Sequence, residues 1–148
     1  MDLEATVEAP CPPELLFGWV SDLTRYPRWL EIITRAEAVD GAGGDADAAW
    51  VVDLRARFGP MARSKRLRME RTVNTAPRHV RFERRERDDR SHAAWELAVE
   101  LEPTDAGSRA RMHLHYGGSL WGPVLERLLR AEIDRSRPRL VACVTASG

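Results

Sequence analysis

Apolar and polar residues alternate with a period of two along most of this chain and change to a helical period in two regions. Leu3, Ala5, Val7 and Ala9 alternate with Asp2, Glu4, Thr6 and Glu8, the pattern of a half-buried strand that Pro10, Pro12 and Pro13 end. Glu14 to Val20 reads as a short helix burying Leu15, Leu16, Trp19 and Val20. Thr24 is placed to cap a second short helix carrying Tyr26, Trp29, Leu30 and Ile33, with Pro27 tolerated in its first turn. A weakly marked strand over 34–39 leads into residues 41–47, a glycine-rich stretch that reads as a flexible loop.

From there strand follows strand. Trp50, Val52, Leu54, Ala56 and Phe58 share one face, against Asp53, Arg55 and Arg57 on the other. Leu67, Met69, Arg71 and Val73 form the next apolar-facing set, and Val80, Phe82, Arg84 and Glu86 the one after. Ala93, Trp95, Leu97, Val99 and Leu101 follow, then Ala110, Met112, Leu114 and Tyr116. Turns at Gly59-Pro60, Ala76-Pro77, 88–91 and 103–107 separate them.

The chain then becomes helical. Trp121, Val124, Leu125, Leu128, Leu129, Ile133, Leu140 and Val144 recur at helical spacing, with Ser119 offered as N-cap and Pro123 in the first turn. Leu120 to Val144 makes a helix roughly 37 Å long, enough to cross a whole sheet, and Pro138 is expected to bend it.

Hairpin-linked strands that are adjacent in sequence usually pair. The expected architecture is therefore α+β: about seven antiparallel strands around one long C-terminal helix, with two short helices after the first strand. A helix ~10–12 Å across is narrower than a flat sheet of strands ~4.8 Å apart. The sheet must curl around it, and an apolar hollow is the expected by-product. Glu132, Ser136 and Arg139 point with Trp121 and Leu125 rather than with the solvated arginines. Either Glu132 pairs with Arg135 or Arg139 at the helix margin, or this face borders a cavity, since a charge in a dry core needs a partner.

Length and charge narrow the classes. At 148 residues one domain, 1–148, is the simplest organisation. A formal net charge of zero argues against a dedicated nucleic-acid surface. Cys11 and Cys143 lack metal-ligand spacing and suit free thiols in a reducing compartment. The N-terminal residues lack a signal-peptide core, and no apolar run approaches the ~20 residues of a membrane span. A soluble, cytoplasmic monomer or homodimer is expected.

The opening through Ala9-Pro10 and Asp22-Leu-Thr-Arg-Tyr-Pro-Arg-Trp29 resembles the START-like superfamily, also called SRPBCC or the polyketide cyclase/dehydrase and lipid-transport proteins. The tail Tyr116-Gly-Gly-Ser-Leu-Trp-Gly-Pro-Val-Leu-Glu126 is similar to members whose final helix closes a cavity. The resemblance covers the whole chain and implies a helix-grip fold with a deep pocket for a hydrophobic small molecule. The superfamily includes aromatic polyketide cyclases and lipid- or quinone-binding carriers, and it offers no universal catalytic residue to carry over.

The candidate chemistry lies on the inner strand faces. Short-turn pairing sets Phe82 opposite Leu97, Arg84 opposite Trp95, and Trp95 opposite Tyr116, a row across the concave face. Arg71 and Glu86 share that parity, so Arg71, Arg84, Glu86 and Glu132 suggest an ionic cluster in the hollow, the alternative being strand ends that reach solvent. With Trp95, Tyr116, Trp121 and Ser136 they form the expected ligand site, in which an arginine anchors a carboxylate, enolate or phenolate. In a cyclase the arginine would hold a polyketide carbonyl while Tyr116 or Glu132 moved a proton.

His113 and His115 form an HxH pair on the wet face, with no acid or Cys spaced for a third metal ligand. No nucleophile-elbow or phosphate-loop motif occurs, and no cofactor or metal is implied. The arginine-rich stretches 55–71 and 78–90 read as a salt-bridged outer face. Three functions follow in order: binding or transport of a lipid, quinone or polyketide-like molecule; an aromatase/cyclase; a protein-interaction module with a collapsed cavity.

Overall fold

The computed structural model describes residues 1–40, 48–119 and 122–147. Strand β1 (Asp2–Ala9) is followed by helix α1 (Pro13–Val20) and a 3-10 helix (Leu23–Arg28). Strands β2 (Ile33–Val39), β3 (Ala49–Phe58), β4 (Met61–Thr75), β5 (His79–Arg84), β6 (Trp95–Thr104) and β7 (Gly107–Tyr116) come next, and helix α2 (Gly122–Ser147) follows them. The strands form one antiparallel sheet in the order β1-β7-β6-β5-β4-β3-β2. This is the expected seven-stranded α+β arrangement. Strand β1 pairs with β7 and not with β2, because the two short helices carry the chain from one sheet edge to the other.

The alternation of the sequence becomes burial. In β1, Leu3, Val7 and Ala9 are buried while Asp2, Glu4 and Glu8 are exposed. On α2 the buried seam runs through Leu125, Leu129, Glu132, Ser136, Leu140 and Val144, and α2 packs on β1, α1 and the 3-10 helix. Val124 is off that seam and 47% exposed, against the expectation that it faces inward. Fully buried Leu16, Phe82 and Leu140 each contribute about 1.5–3 kcal/mol by leaving water.

Local details depart from the sequence reading. The second short helix is 3-10 and is capped by Asp22, whose Oδ1 accepts the Thr24 N–H at 3.0 Å. It stops at Arg28, so Trp29 and Leu30 follow it and Ile33 opens β2; Pro27 inside it supplies no N–H for a longer ladder. Helix α2 runs through Pro138 and ends at Ser147, beyond the expected Val144. The loop read at 41–47, and Leu120 and Trp121 beside the expected Ser119 cap, fall outside the described residues. No helix among the described residues is long and apolar enough to cross a membrane.

Gly107 closes the β6–β7 turn with φ +147°. A Cβ there would stand 2.2 Å from the carbonyl oxygen of Ala9, so the end of β1 can lie against this turn only because the residue is glycine.

Candidate ligand-binding pocket

Between α2 and the concave face lies a pocket of about 140 Å³. Strand residues Leu3, Val7, Val52, Leu54, Leu67, Met69, Phe82, Leu97, Met112 and Leu114 form one side. Leu129, Ile133 and Leu140 of α2, with Leu23, Tyr26, Trp29, Leu30 and Ile32, form the other. The strand residues reach it by period-two alternation, and the α2 residues by the 3- and 4-residue spacing of one helix face.

Glu132, Ser136 and Tyr26 in this wall turn their polar atoms to protein partners. Glu132, 5% exposed, accepts the Ile32 N–H through Oε1 at 3.1 Å and Arg135 through Oε2 at 2.6 Å. Ser136 donates to the carbonyl of Ile133 at 2.7 Å. Tyr26 donates to the carbonyl of Val20 at 2.8 Å, and burial pushes its phenol well above the ordinary range. The indole N–H groups of Trp29 and Trp95 are buried and have no partner among the described residues. The surface facing the hollow is apolar almost throughout.

Of the residues expected to form the site, Trp95, Glu132 and Ser136 line the pocket. Tyr116 is not part of the described lining; it lies opposite Trp95 in register, with ring centroids 4.5 Å apart. Arg71, Arg84 and Glu86 are not part of the described lining. Arg84 is nearly buried, 3.5 Å from Glu86, and donates to the Ala93 carbonyl at 3.3 Å. Its pairing across the sheet is with Met69. Arg71 donates to the Ser21 carbonyl at 2.9 Å and lies over the Trp50 ring. Arg84 and Glu86 therefore pair with each other, while Arg71 and Glu132 have other partners, and the four charged residues do not gather into one cluster. Trp121 falls outside the described residues.

Two features escaped the sequence reading. Arg68 and Glu70 alternate onto the face expected to be wet, yet both are buried and paired with each other. Arg68 also donates to the carbonyls of Arg85 and Asp40. The covering groups come from distant segments, which leave no local signal. On the far side, Asp2 Oδ1 lies 3.0 Å from His113 Nε2 and 2.9 Å from His115 Nδ1, so β1 supplies the acidic neighbour that spacing along β7 did not. The His115 contact first, and charge attraction with it, hold the Asp2 carboxyl below its ordinary range.

A curved antiparallel sheet gripping a C-terminal helix defines the helix-grip class of START-like proteins. The chain belongs to the polyketide cyclase / dehydrase and lipid transport family, whose model matches residues 1–144. Solved structures share the fold at low identity. A START superfamily protein from Mycobacterium smegmatis is 15% identical, with a TM-score of 0.76 over 99% of each chain. A STAR-related lipid transfer protein from Xanthomonas axonopodis is 13% identical, with a TM-score of 0.76 over 97% of this chain and 85% of that one. The Zhui aromatase/cyclase from a Streptomyces species is 12% identical, with a TM-score of 0.72 over 98% of this chain and 93% of that one. No curated protein matches the chain significantly.

Proposed function

We propose that this protein binds, and carries, an apolar small molecule in the pocket beneath α2. The observation that carries this reading is the chemistry of the wall: many aliphatic and aromatic groups, with the polar atoms of Glu132 and Ser136 engaged elsewhere. Such a surface rewards removal of apolar area from water and offers little to a charged group. The names of two structural neighbours, a lipid transfer protein and an aromatase/cyclase, are compatible with ligands of this kind.

Binding is favoured over cyclisation by Glu132. A cyclase needs an acid or base free to reach its substrate. The carboxylate in this wall has both oxygens engaged, one on a backbone N–H and one on an arginine. The size of the pocket bounds the ligand as well. A dry cavity of about 150 Å³ accommodates benzene, so a longer chain requires outward movement of the partly buried rim, where Leu30, Leu54 and Ile133 stand.

Fluorescence titration with an environment-sensitive apolar dye tests the reading, with neutral and carboxylate-bearing competitors of equal size. Saturable dye binding, displaced more strongly by the neutral competitor, is expected. Leu97→Asp, which places a charge in the wall, should weaken dye binding at least tenfold, on the order of 1.4 kcal/mol or more. Absence of saturable binding by the folded wild-type protein would remove the proposal's support.

A further inference from the structure

The β3–β4 hairpin extends beyond the sheet that supports it. Strand β2 pairs with β3 no farther than Leu54, and β5 pairs with β4 no farther than Met69. Residues 55–64 form a two-stranded ribbon, turned at Gly59 with φ +61°. Phe58 lies four residue steps beyond Leu54, so the ribbon projects about 13 Å at ~3.3 Å per residue.

Its composition is unlike the rest of a chain whose net charge is zero. Arg55, Arg57, Arg63, Lys65, Arg66 and Arg68 fall within residues 54–69, which contain no acid. Asp53, at the stem, holds Arg66 at 2.7 Å. No ion pair involves Arg55, Arg57 or Lys65 among the described residues. The salt-bridged face expected from sequence is realised around Arg81, Glu83 and Glu96 and, at the stem of this hairpin, by Arg66 with Asp53. Met61, beside the turn, is 52% exposed, the largest exposure among the described large hydrophobic residues.

We propose that this hairpin docks end-on onto an anionic lipid surface and brings the pocket rim to it. Cross-strand pairing puts Arg63 and Lys65 on the concave face, with Arg55, Arg57 and Arg66 on the opposite face. A protein partner lying against one face would meet only part of this charge, whereas a plane approached by the tip meets cations from both sides. Cations near an anionic bilayer and an apolar tip entering its interface act together. The concave face also runs without interruption from Val52 and Leu54 in the pocket wall to Ala56 and the tip. The transfer role rests on the proposed apolar-ligand function; the docking does not.

Co-sedimentation with phosphatidylcholine vesicles, and with vesicles of equal phosphatidylcholine and phosphatidylglycerol, tests the docking. Binding to the mixed vesicles only, weakened by salt, is expected. Each cation removed should weaken it about fivefold, so Arg57→Ala with Lys65→Ala should lose roughly 25-fold. Met61→Ser should lower binding without changing its salt dependence. Equal binding to both vesicles, no binding to either, or full retention by the double variant would overturn the proposal. Tighter binding to soluble polyglutamate than to mixed vesicles, with Met61→Ser neutral, would assign the hairpin to an acidic protein and overturn it too. The apolar-dye titration on the same samples reports the pocket separately: normal dye binding with failed vesicle binding rejects the docking alone, and failed dye binding rejects the ligand reading.

Discussion

Glu132 joins the wall of the pocket to the backbone at the start of β2. Removing its side chain leaves the buried Ile32 N–H without its acceptor, so Glu132→Ala should destabilise the fold by about 1–3 kcal/mol in urea unfolding. Arg135, its other partner, is largely exposed, and Arg135→Ala should change stability by less than ~1 kcal/mol. Equal effects would mean that the ion pair, and not the backbone contact, is what matters. Arg84→Met should likewise lower stability by about 1–3 kcal/mol, because it removes the donor of the Ala93 carbonyl and the cation beside Glu86, which keeps the Arg68 N–H. It should leave the affinity for a neutral apolar dye unchanged, since Arg84 stands outside the described lining. Parity along the strand placed Arg84 and Trp95 on the inner face but could not reveal whether carbonyls or ligand would receive the guanidinium. Arg68 and Glu70 were illegible for the same reason, their cover being supplied by chain remote in sequence.

At the level of elements, alternation and turn residues carried most of the information. The pairings of Phe82 with Leu97 and of Trp95 with Tyr116 followed from turn lengths alone and are present in the sheet. The 3-10 helix was read as longer, and capped by Thr24, because Trp29, Leu30 and Ile33 continue an apolar spacing that the chain does not use helically. Contacts between β1 and the β6–β7 turn had no sequence signal, since they depend on the two short helices carrying the chain across the sheet. Gly107 tests that contact. Gly107→Ala would place a methyl group 2.2 Å from the Ala9 carbonyl at a φ that L residues rarely adopt. It should cost at least about 1–3 kcal/mol. Unchanged unfolding would mean that β1 does not lie against the turn as described.

The whole molecule follows from a mismatch of widths: seven strands exceed what one helix can cover, so the sheet curves and a hollow remains under α2. The fold was legible because every strand has one apolar face and the last segment has one apolar seam. The lining was only partly legible, since an aliphatic residue facing a hollow and one facing a dry core have the same pattern. Leu97, Met112, Leu114 and Ile133 read simply as inward positions, while the charged residues singled out for the site mostly serve the protein's own backbone. The proposed function requires that an apolar molecule enter this pocket. Methyl-resolved NMR during titration with an apolar ligand tests it directly. Saturable shifts concentrated at Leu97, Met112, Leu114, Leu129 and Ile133 are expected. Binding that shifts only the exposed Val39, Met61 and Val124, leaving those pocket methyls unmoved, would contradict it.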